Sequence, residues 1–318
     1  MSQVLATLRG LVLIAGLVSP CAAVSLEPND GSNTAAAAAG PAQTNGTATN
    51  GLEALVHWLT ERGGFVHPAV RVARLEGQGW DLRLAEGKTI PKGTILISVP
   101  PSAQLSYARF QATIGGPVER QVPKELWDMR LALALLAAAA DTATWGPFVQ
   151  MLPKSLPGLP IFWKGSMLSE VEEVHPTLRK EVVGRAGVLK SVAQGLKAEA
   201  TDGDGECRRW ERLSLRTLAW AYGIVTSRSV RLDKSGAGAG VLLPLIDLAN
   251  HQFVPTAEIR RQDKGADVGS ACLVTARALH GGERLTLSYG KYGNLRLRLD
   301  YGFEVEGNTY KDAKIGPR

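Results

Sequence analysis

The spacing of apolar residues along this chain changes in blocks. Leu52, Leu55, Val56 and Leu59 recur at helical spacing and so share one face of a helix, which Gly63-Gly64 ends. Between 69 and 99 the period shortens to two. Val70-Val72, Trp80-Leu82-Leu84 and Ile95-Ile97-Val99 alternate with other residues, and glycines and the Pro91-Lys92-Gly93 turn separate the runs. Alternation turns one face of each run toward a core, which predicts a small antiparallel sheet.

From 122 to 230 the texture is helical. Leu126 to Ala140 is rich in strong helix formers and too short an apolar run to cross a bilayer. Pro153, Pro157 and Pro160 predict a loop, because proline lacks the amide hydrogen that a helix interior needs. Two further helices are predicted at about 175–200 and 211–228, separated by the turn Asp202-Gly203-Asp204-Gly205. After the glycine-rich stretch 236–240, strand-like runs return at Val241 to Ile246, Ala271 to Thr275 and Arg284 to Tyr289. Strands at both ends with helices between them predict one α+β domain over 51–305, with a helical insertion at about 108–240 and a tail at 306–318.

Residues 1–50 differ from the rest. Arg9 precedes the apolar stretch Leu11 to Val18, and Cys21-Ala22-Ala23 offers small residues of the kind a signal peptidase accepts. Residues 27–50, mostly Ala, Gly, Asn and Thr, have little to bury and read as a disordered linker behind a targeting presequence.

Composition narrows the chemistry. With 45% hydrophobic and 21% charged residues the chain is of ordinary globular make-up. Its 3 cysteines include no CxxC pair, so neither a disulfide framework nor a zinc site of the usual spacing is expected, and no metal is assigned. The net charge of +6 comes without a run of five basic residues, a zinc finger or a helix-turn-helix signature. A nucleic-acid-binding role therefore has little support, and none is expected.

Three short segments carry candidate chemistry. Glu76-Gly77-Gln78-Gly79-Trp80 is a two-glycine turn between strands, where a backbone can approach a ligand closely. Leu243-Pro244-Leu245-Ile246-Asp247-Leu248-Ala249-Asn250-His251 delivers three hydrogen-bonding side chains to one strand end, and these need partners if buried. Gly282 to Gly290 ends in Ser288-Tyr289-Gly290, which leaves a tyrosine hydroxyl free to enter a site; Tyr301-Gly302-Phe303 follows.

In this order the segments resemble the SET-domain family of protein methyltransferases. The nearer likeness is to the branch containing plant Rubisco large-subunit lysine methyltransferase and animal actin-histidine methyltransferase. Trp145 through Leu152-Pro153 and Phe162-Trp163 is similar to that branch's W…LP…W stretch, and Trp220-Ala221 through Ser227-Arg228 to its helix ending in Ser-Arg. The likeness covers about 51–305. It implies a SET fold of small β-sheets split by a helical insertion, and S-adenosylmethionine as cofactor. By the same likeness Glu76, Gly77 and Gln78 line the cofactor pocket, Arg228 holds the cofactor's carboxylate, and Asn250 and His251 meet the cofactor with Asp247 nearby. Gly302 and Phe303 place an aromatic ring near the adenine, and Tyr289 is the catalytic tyrosine.

There are departures from the family pattern. Trp80 replaces a small aliphatic residue, Ser229-Val230 replaces an aromatic after Ser-Arg, and the branch's C-terminal substrate-binding helical domain is expected to be missing.

The reaction implied is transfer of a methyl group to a side-chain nitrogen of a protein, lysine ahead of histidine. The nitrogen must be unprotonated, and lysine ordinarily holds its proton to a pKa of about 10.4. Two other readings stay open: a SET-like protein-binding module without turnover, and histidine as acceptor. The expected partner is a protein presenting lysine or histidine. The chain is expected to be monomeric, with no membrane span once mature. A secretory address fits poorly with a cofactor-dependent enzyme lacking disulfides. The resemblance and the Ala/Thr/Asn-rich stretch 31–50 point to a plastid, with the cytosol second.

Overall fold

The computed structural model describes residues 45–75, 79–173, 175–202, 207–232, 239–265 and 267–312. The expected targeting segment ahead of residue 45, Glu76-Gly77-Gln78, Gly203-Asp204-Gly205 and most of the glycine-rich stretch 236–240 lie outside the described residues.

The first helix, α1 (Asn45–Glu61), begins earlier than the expected start of order at 51 and stops where predicted, with Gly63 at φ 83°. Short strands follow: β1 (Phe65–Val66), β2 (Val70–Leu75), β3 (Gly79–Leu84), β4 (Thr89–Ile90), β5 (Ile95–Val99) and β6 (Leu105–Ser106). The helical block comprises α2 (Tyr107–Gln121), α3 (Trp127–Ala140), α4 (Thr142–Met151), α5 (Gly165–Glu172), α6 (Leu178–Asp202) and α7 (Leu215–Arg228). Strands then resume as β7 (Val241–Leu242), β8 (Asn250–His251), β9 (Ala257–Arg261), β10 (Ala271–Thr275), β11 (Leu279–His280) and β12 (Thr286–Leu287), and α8 (Asn294–Tyr301) closes the series.

The helical block is built around α3. Leu131 to Leu135 are wholly buried, so this helix is enclosed on every side, and α2, α4 and α7 pack against it. Among the described residues no single helix is long and apolar enough to cross a membrane.

The strands form small sheets. Four of them pair in the order β1-β5-β10-β9, and β2 with β3 makes an antiparallel hairpin. Three expectations need correction here. The runs between 69 and 99 do not make one sheet, because β5 leaves the hairpin to pair with β1 and with β10, whose side chains are buried throughout. The run Val241 to Ile246 is a strand only as far as Leu242: Pro244 has no amide hydrogen to give a ladder, and Leu245 turns to φ 68°. Likewise the run Arg284 to Tyr289 pairs regularly only at Thr286–Leu287, with Arg284 forming a lone bridge to Arg83.

Candidate active site

A parallel pairing assembles the site. β8 and β12 align with Asn250 opposite Thr286 and His251 opposite Leu287, which places the end of one segment beside Tyr289 at the end of the other. The Tyr289 amide N–H donates to His251 Nδ1 at 3.1 Å. That bond leaves the imidazole proton on Nε2, which is buried and without a hydrogen-bond partner among the described residues. Burial pulls the His251 pKa below its ordinary value, against the opposing pull of the Leu287 carbonyl.

Tyr289 donates its hydroxyl to the Ala249 carbonyl at 2.8 Å and stacks on Tyr301 at 4.7 Å between ring centroids. Burial pushes its phenol well above the usual tyrosine range; Arg228 draws it down, while Tyr301 and Asp247 add to the rise. It therefore stays protonated at neutral pH. His251 and Phe303 complete an aromatic group around it, with His251–Tyr289 at 5.2 Å and His251–Phe303 at 5.9 Å.

Arg228 ends α7, and Asp247 reaches it from the turn after β7. That turn is closed by the Asp247 N–H donating to the Leu243 carbonyl at 3.0 Å. At its centre Leu245 holds a backbone conformation unfavourable for a leucine, with a side chain 1% exposed that burial locks in place. Arg228 Nη1 donates to both Oδ2 and the backbone carbonyl of Asp247 at 3.1 Å. Burial raises the Asp247 pKa, and the guanidinium offsets part of the rise. Arg228, Asp247 and Tyr289 share the wall of a cavity of about 800 Å³ with Ser227, Ser229, Ile246, Glu258, Ile259 and Tyr301. The Ser229 hydroxyl is buried and unpartnered among the described residues.

The other expected site residues stand elsewhere. Asn250, His251, Gly302 and Phe303 are not in the cavity wall; His251 and Phe303 meet it through Tyr289 and Tyr301. Asn250 donates Nδ2 to the Trp80 carbonyl at 2.9 Å and to Asp81 Oδ1 at 3.1 Å. Gly302 caps α8 at φ 80°, where a Cβ would sit 2.8 Å from the Gly158 carbonyl carbon. Its visible role is to let two backbones touch. Glu76, Gly77 and Gln78 lie outside the described residues.

Sequence reasoning missed three residues of this neighbourhood. Asp81 is completely buried beside Asn250, and the signal for it was an acid next to a core leucine within a strand. Tyr301 stacks on Tyr289 and stood inside the quoted Tyr301-Gly302-Phe303 segment. Glu258 enters the cavity wall from β9, a strand that the pattern did not mark.

This arrangement is the SET-domain fold. The SET domain of LSMT bound to lysine and AdoHcy matches 81% of this chain and 58% of its own, with a TM-score of 0.67 at 21% identity. Rubisco LSMT bound to AdoMet matches 82% and 57%, with a TM-score of 0.62 at 22% identity. Among curated proteins the chain is similar to the N-lysine methyltransferase setd6 of Xenopus laevis, 24% identical over 272 residues, covering 77% of this chain and 55% of that protein. It is also similar to the human SET domain-containing protein 4, 23% identical over 239 residues, covering 70% of this chain and 52% of that protein. No family model matches the chain. The chain thus spans about half the length of the curated relatives it matches.

Proposed function

We propose that this protein transfers a methyl group from S-adenosylmethionine to a lysine side-chain nitrogen of another protein. The observation that carries the proposal is the place of Tyr289, shared between the cavity and the aromatic group around His251.

The residues present suit the cofactor. His251 Nε2 and the Ser229 hydroxyl are buried polar atoms lacking partners among the described residues, and each would gain one from a polar ligand. Arg228 commits Nη1 to Asp247, and its other nitrogens suit a carboxylate. Phe303 and His251 offer ring faces and edges to an adenine. Bound there, the cofactor supplies a methyl group on a positively charged sulfur, ready for in-line displacement.

The protein's own part is placement. Leu243, Ile246, Ala249, Ile259 and Leu287 in the cavity wall disfavour keeping the charge of a cationic side chain once inside. Tyr289 holds its proton and donates it to Ala249, so it is no general base. Its oxygen lone pairs accept from an amine N–H and orient the nitrogen. A lysine acceptor draws support from relatives named for lysine methylation and from a neighbouring structure that holds lysine.

We further propose a monomer acting in a plastid, with residues 1–50 as its address; a fluorescent fusion of 1–50 that accumulates in the medium would overturn that assignment. The activity itself is tested by incubating the protein with plastid or whole-cell extract and methyl-labelled cofactor, then sequencing the labelled band by mass spectrometry. Label on lysine is expected. Label on histidine would revise the acceptor, and cofactor binding without transfer would leave a SET-like binding module.

A further inference from the structure

We infer that the cofactor reaches beyond the cavity wall to Asn250, the neighbour of His251, and that Asp81 is a positioning residue that fixes which end of the Asn250 side chain meets it. The inference rests on the methyltransferase reading above and adds a residue to it.

Asp81 sits on β3 with its carboxylate wholly buried, beside Leu82 and Leu84 of the core. A charge there is costly unless fully bonded. Oδ2 accepts from Arg83 Nε at 2.8 Å, and Oδ1 accepts from Arg284 Nε at 2.9 Å and Nη2 at 2.8 Å. Arg83 and Arg284 face each other across an isolated β-bridge, an unfavourable like-charge pairing that the carboxylate between them neutralises. Both arginine side chains remain partly in water, 39% and 41% exposed, so Asp81 is their shared inner anchor.

The remaining bond to Oδ1 comes from Asn250. Both acceptors of its amide nitrogen, the Trp80 carbonyl and the Asp81 carboxylate, are oxygens. Turning the carboxamide over would set its own oxygen against those two, with a full negative charge on one of them. The orientation is thereby locked, with Nδ2 toward β3 and Oδ1 away from it. Among the described residues nothing donates to that oxygen. A ligand group meeting Asn250 must then be a hydrogen-bond donor, and S-adenosylmethionine carries two, the α-ammonium and the adenine amine. Without Asp81, only the Trp80 carbonyl would oppose the turned-over amide, and the orientation would be held less firmly.

The test is a double-mutant cycle read by calorimetric titration with S-adenosylmethionine and S-adenosylhomocysteine, with thermal unfolding measured in parallel. Asp81→Ala should weaken cofactor binding about tenfold, the loss expected for one well-placed hydrogen bond. Asp81→Asn keeps an acceptor oxygen and should restore most of the affinity. In an Asn250→Ala background, Asp81→Ala should have no further effect on affinity, because the two residues act as one unit. An equal loss in both backgrounds, or wild-type affinity in Asp81→Ala, would overturn the positioning role, whatever happens to the melting temperature. Failure of the unmutated protein to bind either ligand would overturn the methyltransferase reading instead.

Discussion

The helical block and the strands around Tyr289 are held together by different means. In the block, α3 is enclosed by α2, α4 and α7, and wholly buried leucines and alanines supply the contact. The pairing that brings His251 to Tyr289, β8 with β12, is only two residues long. There the work falls to side-chain bonds such as Arg228 to Asp247 and the Asp81 network. Packing of the first kind makes stability. The second kind leaves polar groups poised, some without partners, which is what a site for ligands requires. The two regions should therefore answer differently to substitution.

The largest expected effect is on the first. Leu131→Ala removes a fully enclosed side chain from α3 and should cost about 2–5 kcal/mol in denaturant unfolding, with turnover per folded molecule unchanged. The converse comes from Tyr289→Phe. It should leave the melting temperature and cofactor affinity near wild type yet slow methyl transfer at least about tenfold, a barrier of roughly 1.4 kcal/mol, in a steady-state assay. If stability collapsed instead, Tyr289 would belong with the packing residues. Next in size, Arg228→Ala should weaken S-adenosylmethionine binding by about 1–3 kcal/mol, because a ligand carboxylate would lose its partner. Calorimetry showing unaltered affinity would remove Arg228 from the pocket.

The smallest effect concerns pH. Burial lowers the His251 pKa below its ordinary value of 6.5. A neutral imidazole is thus favoured in the folded state, and its contribution to stability is fully present above about pH 6.5 and lost as pH falls through the lower folded value. His251→Gln should flatten that acid-side slope in melting curves below pH 6.5. An unchanged slope would assign it to other groups.

The two regions were also unequally legible. Helical spacing is a local signal, and Leu126 to Ala140 announced α3 to within a residue. The sheets depend on distant partners: nothing near β5 says that it abandons the hairpin for β10. α8 carries Leu295, Leu297 and Leu299 between arginines, an alternation that suggests a strand. It is a helix because Asp312 accepts from the amides of Leu295 and Arg296, and Arg296 pairs with Asp300 one turn on. At the site, Arg228, Asp247 and Tyr289 could be named from motifs and do meet at one cavity. Asp81 could not, because its meaning lies in Arg284 and Asn250, which only the fold brings to it.

The pairing of β8 with β12 also sets a timetable. During synthesis α3 can find α2, α4 and α7 long before Thr286 leaves the ribosome, so the helical block is free to fold early. Until Leu287 lies beside His251, Tyr289 has no imidazole to bond and the cavity lacks one wall. The cavity is therefore unfinished until nearly the whole domain is made, and Tyr301 of α8 completes it after the last strand has paired.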